Sequence, residues 1–101
     1  MDNDEERLYN AILSLNNAKD CESFFKELCT PKEIKDMKER FHVASLLMKG
    51  NLSYREIQNK TKVSLTTITR VARFLTQEPY QGYKLVLGKQ NENNKKSNTR
   101  L

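Results

Sequence analysis

The stretch KVSLTTITRVARF, Lys62 to Phe74, combines the apolar spacing of an amphipathic helix with an unusual number of hydroxyl side chains. Serine and threonine are mediocre helix formers, because their hydroxyls compete for backbone hydrogen bonds and threonine is stiff about χ1. Two arginines, Arg70 and Arg73, stand beside these hydroxyls. An ordinary surface helix has no need of this composition, so the stretch raises the question of what it contacts.

This helix is predicted to be the second of a pair. The motif SYRE, from Ser53 to Glu56, predicts a capping box. In this arrangement the serine side chain bonds the backbone amide of the glutamate, and the glutamate side chain bonds the backbone amide of the serine. After a short break, Ser64 is suited to cap the following helix. Two short helices across a tight turn, over about 53–76, predict a helix-turn-helix. Lys62 stands in the turn, where a glycine is common.

The composition of the second helix suits a helix that reads DNA. The N-terminal side chains of a recognition helix face base edges in the major groove. Hydroxyls bond phosphates or bases there, threonine methyls contact thymine, and arginine binds guanine or phosphate. The predicted DNA-binding residues are Arg55, Lys60, Lys62, Ser64, Thr66, Thr67, Thr69, Arg70 and Arg73. The alternative is a surface helix of weak propensity that contacts only solvent.

The rest of the chain predicts more helices and no β-hairpin. A first helix is expected over 5–17, and Asp20 is expected to cap a second. The sequence TPKE, from Thr30 to Glu33, predicts a capping box at the start of a third helix, which Gly50 ends. The predicted apolar face of this third helix is Ile34, Met37, Phe41, Ala44 and Met48, widened by Val43 and Leu47.

The fifth helix of this scheme carries its apolar residues at Leu65, Ile68, Val71, Ala72 and Leu75. A short sixth helix is expected after Pro79. The fold class is therefore all-α, with five to six helices. Residues 1–88 are predicted to form the domain, and the polar segment 89–101 a disordered tail, because it lacks the apolar residues that a core requires.

Charge is distributed unevenly along the 101 residues, whose net charge is +5. The excess of lysine and arginine lies after residue 29, which suits a polyanionic partner such as nucleic acid, although a solvated lysine-rich surface has the same composition. Only 37% of the residues are hydrophobic. A chain this small and polar buries a limited fraction of its surface, so a partner subunit is expected to help stabilise it.

Other classes of function find no support in the sequence. Cys21 and Cys29 are expected to be free thiols, and His42 is the single histidine, which together make a poor metal site. Three glycines supply no phosphate-binding loop, and no paired catalytic carboxylates stand out. We expect no enzyme, no cofactor and no membrane span, and a cytoplasmic location.

The segment from Leu28 to Leu75, about half the chain, resembles the tryptophan repressor family, and more closely its YerC/YecD branch. The motifs that carry this resemblance are the TP that opens the third helix, Arg40, the K-G-x-x-S-x-R-E junction from Lys49 to Glu56, and the T-I-T-R run from Thr67 to Arg70. The resemblance implies an intertwined homodimer. Its two reading heads would meet successive major grooves, about 34 Å apart, on a roughly palindromic operator.

The same resemblance identifies a possible vestigial ligand pocket. Its residues would be Thr30, Arg40, Thr67, Arg70, Val71 and Phe74. Val71 stands where the tryptophan repressor has a glycine against its ligand, and Phe74 where it has a serine that helps hold the amino group. The two larger side chains would fill the space of an indole, so we expect no tryptophan binding.

Two functions from different classes remain open. The first is a sequence-specific regulator that binds double-stranded DNA, and more narrowly a repressor. The second is a helical protein-interaction module that has kept the scaffold without specific DNA binding. The two differ in salt dependence and in whether Arg70 and Arg73 matter for DNA affinity.

Overall fold

A computed structural model describes the backbone of residues 1–99 and the side chains of residues 1–90. Within residues 1–99 the chain has six α-helices and no strand, which confirms the predicted all-α class. The helices are α1 (Asn3–Leu13), α2 (Ala18–Leu28), α3 (Pro31–Lys49), α4 (Tyr54–Thr61), α5 (Leu65–Thr76) and α6 (Gly82–Thr99). None of the six combines the length and apolarity that a membrane crossing requires. The chain forms two compact units, Met1–Asp36 and a second that begins at Met37.

The first unit contains α1 and α2, and the N-cap of α2 differs from the prediction. The amide of Asp20 donates to Oδ1 of Asn17 at 2.8 Å, so Asn17 caps α2 and Asp20 lies inside the helix. Asparagine with extended backbone is a favourable N-cap, so α2 begins three residues earlier than Asp20 would allow. α1 ends at Leu13, because the Ser14 amide and hydroxyl both bond the carbonyl of Ala11. Neither helix buries a side chain.

The ends of α3 agree with the sequence. The Thr30 amide donates to Oε1 of Glu33 at 2.8 Å, and the Glu33 amide donates to Oγ1 of Thr30 at 3.1 Å, so the capping box is complete. Pro31 occupies the first helical position, where its missing amide hydrogen costs nothing. Gly50 follows the helix with φ +72°, a left-handed conformation that glycine adopts without strain.

The core of the second unit draws on α3 to α6. Its buried residues are Val43, Ala44, Leu46, Ile57, Val63, Ile68, Val71, Leu75 and Leu87. The predicted face of α3 is wrong in part: Leu46 is buried, whereas Met37 and Met48 are exposed. The apolar residues of α3 form more than one stripe along the helix. Residues of α4 to α6 pack on the stripe that contains Val43 and Leu46, so the side chains of that stripe are the buried ones.

The C-terminal segment also differs from the prediction. α6 runs to Thr99, so residues 89–99 are helical rather than a tail without structure. No proline and no glycine lie between Lys89 and Thr99, so nothing in the local sequence ends the helix before that point. Arg100 and Leu101, which complete the predicted tail, lie outside the described residues.

The turn between α4 and α5 generates the first testable prediction. Lys62 has φ +62° and ψ +15°, a left-handed conformation that L-residues adopt at a cost. Lys62→Gly removes this cost, so we expect an increase in the free energy of unfolding of about 0.5–1 kcal/mol, partly offset by the greater freedom of the unfolded chain. Lys62→Val should lower the free energy of unfolding by about 1–2 kcal/mol, because a β-branched residue is strained in this conformation.

Urea unfolding at one fixed protein concentration measures both changes. The matched control is Lys60→Gly, inside α4, where glycine should destabilise by up to about 1 kcal/mol. A Lys62→Gly variant that is less stable than the wild type would contradict the assigned backbone conformation.

The two capping boxes give the second prediction, on pH. Backbone and side-chain hydrogen bonds from Ser53 lower the pKa of Glu56 below its ordinary value of 4.5, and those from Thr30 do the same to the pKa of Glu33. A carboxylate with a lowered pKa stabilises the fold above its ordinary pKa, and this stabilisation is lost as the pH falls through the lowered value. Glu56→Gln keeps an acceptor but removes the charge, so it should lower the melting temperature at pH 7.

The difference in melting temperature between wild type and Glu56→Gln should shrink as the pH falls from 4.5 through the lowered pKa of Glu56. Melting followed by circular dichroism from pH 7 to pH 3 provides the measurement. Glu27→Gln, at an exposed position outside both boxes, is the control. If the difference in melting temperature stays constant across this range, the charge of Glu56 does not contribute to the stability of the fold.

Candidate nucleic-acid interface

α4 and α5 form a helix-turn-helix whose first helix is fixed by a complete capping box. The Ser53 amide donates to Oε1 of Glu56 at 3.0 Å, and the Glu56 amide donates to Oγ of Ser53 at 3.1 Å. The buried side chain of Ile57 anchors α4 in the core. The start of α4 is therefore determined locally by the sequence, and its orientation by the burial of one residue.

The turn is built without glycine. The Lys62 amide donates to the carbonyl of Gln58 at 2.8 Å, which closes the last turn of α4. The Thr61 hydroxyl donates to the carbonyl of Ile57 at 2.7 Å and accepts from the amide of Val63 at 3.2 Å. Val63 is buried. The Thr61 hydroxyl thus links the end of α4 to the turn, and the left-handed Lys62 lets the chain change direction there.

The hydroxyls of Ser64 and Thr67 belong to the start of α5. The Thr67 amide donates to Oγ of Ser64 at 3.2 Å, and the Ser64 hydroxyl donates to Oγ1 of Thr67 at 3.1 Å. Thr67 is half-buried, unlike the other threonines of this helix that were predicted to bind DNA. These two residues therefore cap and order the helix, which explains half of the hydroxyl content of the stretch.

The face of α5 that is turned away from the core lines an open groove of about 670 Å³. Four of the predicted DNA-binding residues meet there: Thr66, Thr69, Arg70 and Arg73. All four are exposed, because the buried side of α5 is taken by Ile68, Val71, Ala72 and Leu75. The rest of the lining was not predicted and consists of Tyr54, Leu65, Ala72, Thr76 and Gln77.

Leu65 corrects the sequence interpretation. It was predicted to lie on the apolar face of α5, but it is 50% exposed at the first position of the helix. Its spacing from Ile68 fits the apolar stripe, yet the core does not extend past the end of the helix to cover it. The sequence does hint at this exposure, because Leu65 directly follows the capping Ser64, and helical periodicity is a poor guide to burial at the first position of a helix.

The other three basic residues of the predicted DNA-binding set do not line this groove. Arg55 and Lys60 lie on α4 and Lys62 lies in the turn, and all three side chains are exposed. The helix-turn-helix therefore exposes a groove with threonine and arginine side chains on α5, together with three further cations on α4 and in the turn.

The two arginines of the groove share one aromatic ring. The Arg70 guanidinium carbon lies 4.8 Å from the centroid of the Phe74 ring, and that of Arg73 lies 5.2 Å from the same centroid. The Phe74 ring stacks on Tyr80, with centroids 6.3 Å apart and ring planes 24° apart. Arg73 Nε also lies 3.5 Å from Oε1 of Glu78.

The residues of the possible ligand pocket have other contacts in this chain. Val71 is 1% exposed and belongs to the core, Thr67 is in the cap of α5, and Thr30 completes the capping box of α3. Arg40 is half-exposed on α3. An apolar groove of about 500 Å³ does border Phe74, with Phe41, Tyr80, Tyr83 and Val86 among its lining residues. Among residues 1–90 no cluster of His, Cys, Asp or Glu is arranged to hold a metal ion.

Comparison with known proteins gives consistent results. The family model of the Trp repressor protein matches residues 4–91. The chain is 43% identical over 70 residues to the uncharacterized protein YerC of Bacillus subtilis, a match that covers 69% of this chain and 66% of YerC, just under two thirds. It is 36% identical over 74 residues to a Trp operon repressor homolog of Chlamydia trachomatis serovar D, covering 69% of this chain and 79% of that protein.

Solved structures agree with the fold. A TrpR-like protein from Eubacterium eligens superposes with a TM-score of 0.79 at 37% identity, covering 85% of this chain and 87% of that one. A candidate Trp repressor from Staphylococcus aureus superposes with a TM-score of 0.83 at 33% identity, covering 90% and 89%. With the family model matched over nearly all of the described chain, the protein belongs to the Trp repressor family of DNA-binding regulators.

Proposed function

We propose that this protein is a sequence-specific transcriptional regulator, a repressor that reads a roughly palindromic operator in double-stranded DNA. The observation that carries the proposal is the groove on α5, where Thr66, Thr69, Arg70 and Arg73 are exposed together. Threonine and arginine are side chains that bond bases and phosphates in the major groove. The repressor role rests on the names of the relatives, among them a Trp operon repressor homolog.

In this mechanism α5 enters the major groove and its exposed face contacts the bases. Leu65, exposed at the start of α5, adds an apolar side chain that can contact a thymine methyl. Arg55, Lys60 and Lys62 contact phosphates on either side, which positions the helix but carries no sequence information. Each phosphate contact releases counterions, so the affinity falls steeply as salt rises.

The regulator acts as a homodimer in this proposal, because the first unit lacks a core of its own. α1 and α2 are amphipathic, yet neither buries a residue, and Tyr9, Leu13 and Leu28 are exposed. Helices as short as 11 residues are marginal in water unless their apolar face is packed. A second copy of the chain supplies that packing, and two reading heads then suit an operator with two-fold symmetry.

Tryptophan is not required in this mechanism. Val71 is buried in the core, and Phe74 lies beneath the two arginines of the groove. A ligand that needed either position would have to displace a packed side chain. The regulator is therefore expected to bind its operator without an added amino acid.

Selection from a random duplex DNA library tests the function directly, and this is the third prediction. At about physiological salt and with no small molecule added, the wild type should enrich an inverted repeat. Arg70→Ala should lower the affinity for the enriched sequence by about 5–100-fold, since it removes an arginine from the base-reading face.

The matched control is Lys35→Ala, which removes one exposed positive charge from α3, outside the helix-turn-helix. It should change the affinity by no more than about twofold, because Lys35 is not among the residues proposed to contact DNA and an exposed charge is screened by salt. Enrichment of no sequence, with and without millimolar tryptophan, would refute the specific regulator and favour the protein-interaction module. Enrichment with tryptophan alone would refute only the effector-free mechanism.

The fourth prediction concerns the dimer. Leu8→Glu places a charge on the apolar stripe of α1, next to the half-buried Ile12. Burying one leucine contributes about 1.5–3 kcal/mol, and a two-fold interface contains it twice, so the dimer dissociation constant should rise by about 100-fold or more.

Light scattering and sedimentation at micromolar concentration measure the change. Asn10→Glu adds the same charge to an exposed position on the other side of α1 and should leave the dimer intact. A monomeric wild type at these concentrations would refute the homodimer.

A further inference from the structure

We propose that Phe74 is a positioning residue, whose ring holds the guanidinium groups of Arg70 and Arg73 in the orientation used for DNA binding. This inference rests on the proposed function and assigns a role to a residue that does not line the DNA-facing groove. It follows from three features of the structure: two cations on one ring, the lack of a carboxylate partner for one of them, and a second ring that supports the first.

The shared ring is a consequence of helical spacing. Phe74 follows Arg70 by four residues and Arg73 by one. Residues four apart on a helix lie next to each other, so the Arg70 guanidinium carbon reaches 4.8 Å from the ring centroid, while that of Arg73 lies at 5.2 Å. Both distances are within the range in which the electron-rich face of an aromatic ring attracts a cation.

The two arginines differ in their other contacts. Arg73 has an ion pair with Glu78, at 3.5 Å from Nε. Arg70 has no ion pair with any carboxylate of residues 1–90, so the Phe74 ring is the side-chain contact that fixes it. A carboxylate partner would neutralise the charge and compete with phosphate, whereas an aromatic face orients the guanidinium and leaves its full charge and its hydrogen-bond donors available.

The ring is itself held in place. Phe74 is half-buried, and it stacks on Tyr80 with 6.3 Å between centroids. Tyr80 lies in the short connection to α6, between Pro79 and Gln81, whose φ is +63°. Proline fixes one side of this connection, and a left-handed residue fixes the other. Constrained backbone therefore limits where the Tyr80 ring can lie, and the stacking of Tyr80 on Phe74 limits the movement of the ring that contacts the two arginines.

Positioning of this kind strengthens binding without adding a contact to DNA. A free arginine side chain loses rotamer freedom when it binds a base or phosphate, and a side chain that is already ordered loses less. The effect is largest for Arg70, because the Phe74 ring is the side chain that contacts its guanidinium group. A positioning role accounts for the large aromatic residue beside the exposed face of α5, where its ring cannot form a hydrogen bond with a base.

Two substitutions of Phe74 test this role. Phe74→Leu keeps an apolar side chain but removes the aromatic face, and it should weaken binding to the selected DNA by about 3–10-fold. Phe74→Tyr keeps the face and should bind within about twofold of the wild type. In the background of Arg70→Ala, Phe74→Leu should have a smaller effect than in the wild type, because the contact of the ring with Arg70 is already lost and only Arg73 remains over it. Equal effects of Phe74→Leu in both backgrounds would overturn the proposal.

A measurement on the free protein separates this inference from the proposed function. Protons over the face of an aromatic ring resonate upfield, so the δ-methylene protons of Arg70 should be shifted upfield of their random-coil position in the wild type and in Phe74→Tyr. The shift should disappear in Phe74→Leu, whose melting temperature verifies that it is folded. Random-coil shifts in the folded wild type would overturn the proposal without any use of DNA.

The two possible failures are distinguishable. Upfield shifts in a wild type that binds no DNA would refute the proposed function, while the arginines would still be shown to be held by the ring. Equal DNA affinity of wild type and Phe74→Leu would overturn the positioning role and leave the proposed function intact.

Discussion

The burial of Ile57 and Ile68 is the constraint on which the proposed DNA-reading surface depends. Both side chains are fully buried in one cluster, one from α4 and the other from α5. Once Ile68 faces the core, helical periodicity directs Val71 and Leu75 to the same side and Thr66, Thr69 and Arg70 away from it. Rotating α5 to bury the polar face would leave hydroxyls and a guanidinium without partners in an apolar core, which is costly.

The unusual hydroxyl content of this helix has two separate explanations. The Ser64 hydroxyl accepts from the Thr67 amide and donates to the Thr67 hydroxyl, so this pair offsets part of the weak helix propensity of the threonines in α5. Thr66 and Thr69 make no such contribution to the cap and face the groove. A surface selected only for helix stability would favour alanine, glutamate or lysine at these positions. The structure therefore divides four hydroxyls into two that order the helix and two that are free for a ligand.

The sequence predicted those features that depend on neighbours along the chain. The capping boxes at Thr30 and Ser53, the cap at Ser64 and the left-handed Gly50 each involve residues within a few positions of one another. Features that depend on distant packing were less predictable. The stripe of α3 that is buried, the exposure of Leu65 and the two cations on Phe74 are decided by which helix packs against which, and periodicity cannot choose among overlapping apolar stripes. The cap of α2 was missed because two suitable residues lie three positions apart, at Asn17 and Asp20.

The two units of the chain obtain their stability in different ways, and this has a consequence for regulation in the proposed dimer. The second unit has a core of its own, assembled from α3 to α6 and closed by Leu87. The first unit has no buried side chain in either of its complete helices. In the proposed dimer its order depends on association, and association depends on protein concentration. A single reading head keeps its fold and its groove at any concentration, whereas the fixed spacing of two heads, which an inverted repeat requires, exists only above the dissociation constant of the dimer. Specific DNA binding should for this reason be more sensitive to dilution than the stability of the helix-turn-helix itself.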